Sequence, residues 1–98
     1  MEYQLRHYRI RAGQMDNFID AWLRGVYPLR RKFGFTILGA WRVDGTDEFV
    51  WVVGYDGAEG FAAADRRYYD SDERKRMDPD PRRYIEEPVK HDMRSVLP

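Results

Sequence analysis

The stretch Glu48-Phe-Val-Trp-Val-Val-Gly-Tyr55 carries large apolar side chains at nearly every position. Side chains of a strand alternate between its two faces. One face therefore receives Phe49, Trp51, Val53 and Tyr55, and the other receives Val50 and Val52. A sheet with one face in water shows polar residues at every second position, and this strand does not. We expect the sheet to be covered on both faces.

The segments before this strand predict a strand, a helix and a second strand. Tyr3–Arg11 alternates as the first strand, and Gly13 ends it. Apolar residues then recur at spacings of three and four, which is typical of a helix that packs on a sheet. That stripe consists of Met15, Phe18, Ile19, Trp22, Leu23, Val26, Leu29 and Phe33. Pro28 lies inside it and lacks a backbone N–H, so we expect a bend near Gly25–Pro28.

The second strand, Phe35–Val43, is predicted to place Phe35, Ile37, Trp41 and Val43 on one face. Asp44–Asp47 is a hairpin turn signal, so the next strand should run antiparallel to it. After Tyr55, Asp56 is placed to cap a second helix. The inward side of that helix is predicted to hold Ala58, Phe61, Ala62, Asp65, Tyr68 and Tyr69. Val89–Leu97 alternates as a last strand at the sheet edge.

This order of elements, strand-helix-strand repeated, predicts an α+β fold in one domain that spans residues 1–98. The arrangement is the ferredoxin-like βαββαβ sandwich, with a four-stranded antiparallel sheet and two helices on one face. The helices cover only that face. We expect a second copy of the chain to cover the other, so that a homodimer forms a closed α/β barrel.

Composition limits the classes of function. The chain has 17 basic and 17 acidic residues, so its net charge of zero provides no long-range attraction for nucleic acid or anionic lipid. It has no cysteine and only two histidines, so we expect neither a disulfide nor a metal site. No apolar run approaches the ~20 residues of a membrane span, and Met1–Ile10 is too charged for a signal peptide. We expect a cytoplasmic protein.

Several short motifs resemble one protein family. Tyr3–Tyr8 resembles the Tyr-x-Leu-Arg-x-Tyr opening of the NIPSNAP family. The spacing of Gly13 and Phe18, the strand Leu38–Trp41 and the pair Tyr55-Asp56 continue the similarity. The resemblance implies the dimeric α/β-barrel fold. Enzymes that share this fold include cofactor-independent oxygenases and isomerases, but a fold by itself does not fix a function.

His7 and His91 are the candidate acid/base groups, because imidazole titrates near neutral pH. The first and last strands are neighbours in the predicted sheet, so the two histidines should lie close together. His7 is the candidate catalytic residue, and His91 is a candidate ligand-pocket residue. For both, an ordinary polar residue near a sheet edge is the simpler interpretation.

Three aromatic residues, Trp41, Trp51 and Tyr55, are predicted to line a flat apolar cavity between the sheet and the helices. The simpler interpretation is that they fill the core and the dimer interface. Arg6 should lie with Tyr8 on the strand face that looks into the barrel interior or the dimer interface, where we expect it to pair with Asp47 or Glu48 or to bind an anionic ligand. Arg30-Arg31-Lys32 is interpreted as a solvated helix end.

Two functions follow as hypotheses. The first is a pocket for a small aromatic or polyketide-like molecule, serving an oxygenase or isomerase reaction that needs no cofactor. The second is a non-enzymatic binding or assembly module that acts through its dimer surface, with Tyr68–Pro88 as the recognition segment. A weaker hypothesis is haem handling, which requires a histidine that reaches the iron.

Overall fold

The structure is a computed structural model that describes all residues from Met1 to Pro98. Four strands and four α-helices follow one another along the chain, with a π-helical segment and a 3₁₀ turn between them. In chain order they are β1 (Glu2–Ile10), α1 (Met15–Ala21), the π segment (Trp22–Val26), α2 (Tyr27–Lys32), β2 (Thr36–Arg42), β3 (Glu48–Tyr55), α3 (Phe61–Asp70), α4 (Asp72–Lys75), the 3₁₀ turn (Pro81–Tyr84) and β4 (Ile85–Met93).

The strands form one sheet in the order β2-β3-β1-β4, and every neighbouring pair is antiparallel. This topology confirms the predicted ferredoxin-like α+β fold. The last strand begins at Ile85, four residues before the predicted start at Val89, and it ends at Met93 instead of Leu97. No helix is long and apolar enough to cross a membrane.

The core lies between the helices and one face of the sheet, which we call the helix face. Phe49, Trp51, Val53 and Tyr55 are all buried there, as the alternation of β3 predicts. Aromatic rings dominate the layer: the Trp51 ring meets Trp22 edge-on, with centroids 5.4 Å apart. Edge-to-face pairs of this kind add stability beyond the apolar area they bury.

The first helical region contains a π segment at Trp22–Val26, just before the Pro28 that the sequence marks as a break. Residues four apart stay buried through it, namely Phe18, Trp22, Val26 and Arg30. In a straight α-helix a spacing of four drifts by about 40° per step, so these residues would leave the core. The wider π turn absorbs the drift. It also explains why Leu23, predicted to be inward, is largely exposed.

The second helical region begins later than predicted. Asp56 does not cap it; α3 starts at Phe61 after Gly60, whose φ of 86° favours glycine. The Phe61 N–H donates instead to the Glu2 carboxylate of β1, at 3.0 Å. This contact joins the start of α3 to the first strand.

A β-bulge in β2 overturns one predicted face. Ile37 pairs with Val53, but Gly39 already pairs with Val52, so Leu38 is an extra residue. Side-chain direction reverses after a bulge of one residue. Trp41, opposite Val50, therefore lies on the face away from the helices and is 55% exposed. The prediction that it shares a face with Phe35 and Ile37 is wrong.

The opposite side of the sheet, which we call the open face, carries no helix. Its side chains are mostly apolar and only partly shielded within one chain. They include Tyr3, Leu5, Leu38, Trp41, Val43, Val50, Val52, Val89 and Met93. A patch of this kind on a single chain marks an interaction surface.

Candidate functional site

Two arginines are completely buried on the helix face. Arg6 projects from β1 and Arg30 from α2, and neither exposes measurable surface. A charged group is costly to bury unless a partner of opposite charge and hydrogen bonds compensate it. The partners of these two side chains therefore define the interior chemistry of the fold.

Both guanidinium groups bind the same two residues of α3, Asp65 and Tyr69. Arg6 donates from Nη2 to Asp65 Oδ1 at 3.1 Å and from Nη1 to the Tyr69 hydroxyl at 2.9 Å. Arg30 donates from Nη1 to the same Asp65 oxygen at 2.6 Å and from Nη2 to the same hydroxyl at 3.3 Å. We call these four residues the arginine cluster.

The arginine cluster contains two cations and one carboxylate, so it keeps one positive charge while Tyr69 is neutral. Burial raises the pKa of the Tyr69 phenol, but the charges of Arg6 and Arg30 outweigh burial and hold that pKa below its usual value. The reason is that both guanidinium groups stabilise the phenolate. The same attraction, opposed by burial, raises the pKa of Arg6, which stays charged.

The pKa values of two neighbouring tyrosines are raised, in contrast to that of Tyr69. Burial raises the pKa of Tyr68 to about 12. Burial also raises the pKa of Tyr8, and the nearby Arg6 offsets this only in part. Neighbouring groups with pKa values driven apart are a common signature of acid/base roles in active sites. Tyr69 is therefore the phenol of this site that loses its proton most readily.

A small cavity of about 30 Å³ lies beside the arginine cluster, and we call it the inner cavity. Its wall includes Tyr8, Trp22, Arg30, Trp51, Tyr68 and Tyr69. Four buried polar atoms of the wall have no hydrogen-bond partner: Trp22 Nε1, Arg30 Nε, Trp51 Nε1 and the Tyr68 hydroxyl. Folded proteins leave few buried polar atoms without partners, so four around one cavity require an explanation.

A larger hollow of about 390 Å³, the outer groove, adjoins the inner cavity. It is lined by Tyr8, Tyr69, Arg82, Ile85, Pro88 and Lys90. Tyr8, Tyr69, Arg82 and Ile85 line both spaces. Tyr69 therefore stands where the buried wall meets space that is open to solvent.

A second ion-pair group borders the site. The buried Arg74 donates to Asp80 at 3.1 Å, and Arg82 donates to the other carboxylate oxygen at 2.9 Å. Burial raises the pKa of Asp80, but the hydrogen bonds from Arg82 and Arg74 outweigh it and bring the value to about 2. These contacts fix the segment that leads into β4.

The two histidines lie on the open face. His7 is opposite Val89, and His91 is opposite Leu5, so they are diagonal neighbours, as the sequence predicts. His7 Nε2 is 2.6 Å from Glu48 Oε1. The sheet separates both histidines from the inner cavity. His7 instead borders a hollow of about 390 Å³ on the open face, together with Arg9, Glu48 and Val89, and its acid/base role stays a prediction.

The three predicted pocket aromatics do not meet. Trp51 lines the inner cavity, while Trp41 lies on the open face because of the β-bulge. Tyr55 is on the helix face but at the far end of β3, where its hydroxyl donates to Glu59 and its ring packs on Phe35. Of this group, only Trp51 belongs to the candidate site.

Sequence reasoning missed Arg30 and assigned Arg6 the wrong partner. Arg6 binds Asp65 of α3, whereas the sequence favoured Asp47 or Glu48 near the hairpin. The run Arg30-Arg31-Lys32 predicts a solvated helix end, but Arg30 is buried. The available signal was Asp65 itself, a carboxylate on the predicted inward side of α3, which requires a buried cation.

No group of three or more histidine, cysteine, aspartate or glutamate side chains is arranged to hold a metal ion. The site instead combines guanidinium groups, phenols and indoles. Such groups bind oxygen-containing organic molecules and position protons.

The family model described as NIPSNAP matches residues 3–94. The chain belongs to the NIPSNAP family. This confirms the resemblance seen in the motifs of β1 and β2. No curated protein matches the chain.

Solved structures support the same fold. An uncharacterized NIPSNAP domain protein from Burkholderia xenovorans is similar with a TM-score of 0.84 and 20% identity, over 100% of this chain and 99% of that one. A NIPSNAP family protein from Agrobacterium tumefaciens is similar with a TM-score of 0.83 and 16% identity, over 94% of this chain and 90% of that one. A protein named antibiotic biosynthesis monooxygenase is similar with a TM-score of 0.74 and 13% identity, over 99% of this chain and 100% of that one. At these identities the similarity shows the fold alone.

Proposed function

We propose that this NIPSNAP protein is a homodimer in which each chain binds a small, flat organic molecule in the outer groove and transfers a proton to or from it without a cofactor. The observation that carries the proposal is the Tyr69 phenol. It accepts hydrogen bonds from two buried guanidinium groups and lines both the inner cavity and the outer groove.

The proposed chemistry begins with a substrate that has an acidic C–H bond beside a carbonyl. The Tyr69 phenolate takes that proton, and the electron pair of the C–H bond moves into an enolate. Return of the proton to another carbon makes the reaction an isomerisation. In an oxygenation, the class in the name of one structural neighbour, the enolate carbon forms a C–O bond with molecular oxygen as co-substrate and the peroxide takes the proton back from Tyr69. Loss of water from the hydroperoxide then leaves a new carbonyl, so that the CH2 carbon is oxidised while one oxygen atom enters the product and the other leaves as water. Both reactions share the step that Tyr69 performs.

Binding is tested first, with a library of neutral, cationic and anionic aromatic fragments. Amide NMR signals of Tyr69, Ile85 and Lys90, which line the outer groove, should shift on binding. The groove would be disproved as a ligand site if no fragment bound, or if binding shifted only the signals of residues outside the groove. The alternative of a binding or assembly module would then be favoured.

Proton transfer is tested with benzoylacetone, an aromatic 1,3-diketone with an acidic methylene group. The protein should accelerate exchange of that methylene with deuterium from solvent above the buffer rate. Tyr69→Phe should remove the acceleration, because it keeps the ring but not the phenol. Tyr27→Phe is the matched control, since Tyr27 packs on Trp22 and does not line the cavity or the groove. Equal acceleration by Tyr69→Phe would exclude this role.

The homodimer part of the proposal concerns the open face. A two-fold dimer pairs a surface with itself, so any charge at its centre meets the same charge. Leu5, Val50 and Val52 in the middle of the open face, and Trp41 on the edge strand β2, carry no charge, while His7, opposite Val50, contacts Glu48 of the same chain. Self-pairing therefore buries apolar area around a polar contact that each chain makes internally. Sedimentation equilibrium at micromolar concentration should give twice the chain mass of 11.8 kDa; a stable monomer would contradict the proposal.

A further inference from the structure

The four unpartnered polar atoms of the inner cavity share one chemical property. Arg30 Nε and the indole nitrogens of Trp22 and Trp51 are donors that cannot accept a hydrogen bond, and the Tyr68 hydroxyl is also able to donate. The occupant that satisfies them must therefore supply acceptors. One water accepts at most two hydrogen bonds, so it leaves at least two of these four groups without an acceptor. An anionic oxygen accepts several donors and brings none.

The charges around the cavity point in the same direction. Arg6 and Arg30 share the single carboxylate of Asp65. Around the Tyr69 ring, the Arg74 guanidinium lies 5.5 Å and the Lys90 ammonium 5.7 Å from the ring centroid. Positive charge therefore exceeds negative charge at the junction of the inner cavity and the outer groove, and it attracts anions.

The sizes of the two spaces suit a ligand with a small polar group, the head, and a larger ring, the body. The inner cavity, about 30 Å³, has room for a group of about carboxylate size, but not for a ring. The outer groove, about 390 Å³, has room for a ring and lies against Tyr8 and Pro88. Arg30 is preorganised for the head, since its other two nitrogens are already fixed by Asp65 and Tyr69.

We propose that the ligand of this site is an aromatic organic acid whose carboxylate enters the inner cavity and binds Arg30 Nε and the Tyr68 hydroxyl, while its ring occupies the outer groove. This inference rests on the proposed function and adds the substrate class. Arg30 and Tyr68 select for charge, and the groove selects for shape. Tyr69 lies between them, next to the atoms that join head and body.

The test compares benzoate with benzamide, a neutral molecule of nearly the same shape. Both are titrated into the full chain, and binding is followed by tryptophan fluorescence, because Trp22 and Trp51 line the inner cavity, and by amide NMR shifts. We expect benzoate to bind at least about tenfold more tightly, the usual effect of about 1.4 kcal/mol for one charged hydrogen bond.

Tyr68→Phe is the decisive variant. The Tyr68 hydroxyl has no partner in the protein, so its removal breaks no internal hydrogen bond. We expect benzoate affinity to fall about fivefold or more while the melting temperature stays equal or rises. Arg30→Lys should also weaken benzoate binding, and Tyr27→Phe should change neither affinity nor melting temperature. A loss of affinity without a loss of stability separates a ligand contact from a packing contact.

Three results would overturn the inference. Benzamide binding as tightly as benzoate would show that charge is not recognised, although the groove would remain a ligand site. Unchanged benzoate affinity in Tyr68→Phe would place the carboxylate elsewhere. Absence of benzoate binding would reject the acid class, and the fragment library would then decide separately whether the groove binds any ligand.

Discussion

The two faces of the sheet are incomplete in opposite ways. On the helix face, aromatic rings pack closely around the small inner cavity and Arg6 and Arg30 are fully buried, but four polar atoms have no partners. On the open face, His7 pairs with Glu48, but apolar side chains such as Trp41 lack a cover. Missing hydrogen-bond acceptors call for a small ligand, whereas missing packing calls for a large surface. Our two proposals therefore assign ligand binding to one face of the sheet and dimerisation to the other.

The largest expected effect is a loss of stability when Asp65, on the helix face, is replaced. Asp65→Asn leaves Arg6 and Arg30 buried without their carboxylate, and removal of one partner of a buried ion pair costs about 3–5 kcal/mol. Urea unfolding should show this loss in the free energy of unfolding. Asp20→Asn is the control, because its pair with Arg24 is exposed and worth less than about 0.5 kcal/mol. Equal effects of the two variants would show that the arginine cluster does not stabilise the fold.

The next largest effect is expected at Trp41 on the open face, where a substitution should weaken dimerisation but not folding. Trp41→Asp places two like charges in a self-paired interface and should weaken dimerisation about 100-fold or more. The free energy of unfolding of the separated chain should change by less than about 1 kcal/mol, since Trp41 is 55% exposed there. Sedimentation and urea unfolding measure the two quantities. A variant that unfolds without passing through a folded monomer would contradict this division between the faces.

The pattern of strand faces explains how much the sequence predicts. Alternation in β1 and β3 correctly groups Arg6 with Tyr8 and Trp51 with Phe49, but it does not say which face of β1 the helices cover, and the expectation that Arg6 and Tyr8 face the barrel interior or the dimer interface is wrong. The face of Trp41 was not predictable in this way, because a bulge at Leu38 leaves the apolar pattern of β2 looking regular. Bulges follow from pairing with the neighbouring strand, which local periodicity does not report.

The burial of Arg30 depended on another non-local feature. Three basic residues at a helix end look like a solvated terminus, and only the π segment keeps Arg30 in line with Trp22 and Val26. The sequence predicts that Asp65 faces inward, but not its partners, which come from β1 and α2. The sequence therefore predicts the fold and half of the arginine cluster, while tertiary packing decides which residues complete it.

A smaller effect concerns the ionisation of the phenols on the helix face. The pKa of Tyr69 is lowered, so its contribution to stability is present above the unfolded value near 10 and is lost as pH falls through the folded value. Tyr8 and Tyr68 have raised pKa values, so their contributions are present below pH 10 and are lost as pH rises, for Tyr68 through about 12. The earliest phenolate in an ultraviolet titration should therefore vanish in Tyr69→Phe. Its persistence would assign that ionisation to another tyrosine.

The smallest effect is expected at His7, and it tests whether the two faces act independently. His7 contacts Glu48 on the open face, and the sheet separates it from Arg30 and Tyr68. His7→Gln keeps a polar side chain there and should leave benzoate affinity and benzoylacetone exchange within about twofold of the unchanged protein, as expected for sites without shared partners. Isothermal titration and deuterium exchange measure the two quantities. A tenfold loss in either would mean that chemistry depends on the open face, and the acid/base role would return from Tyr69 to His7.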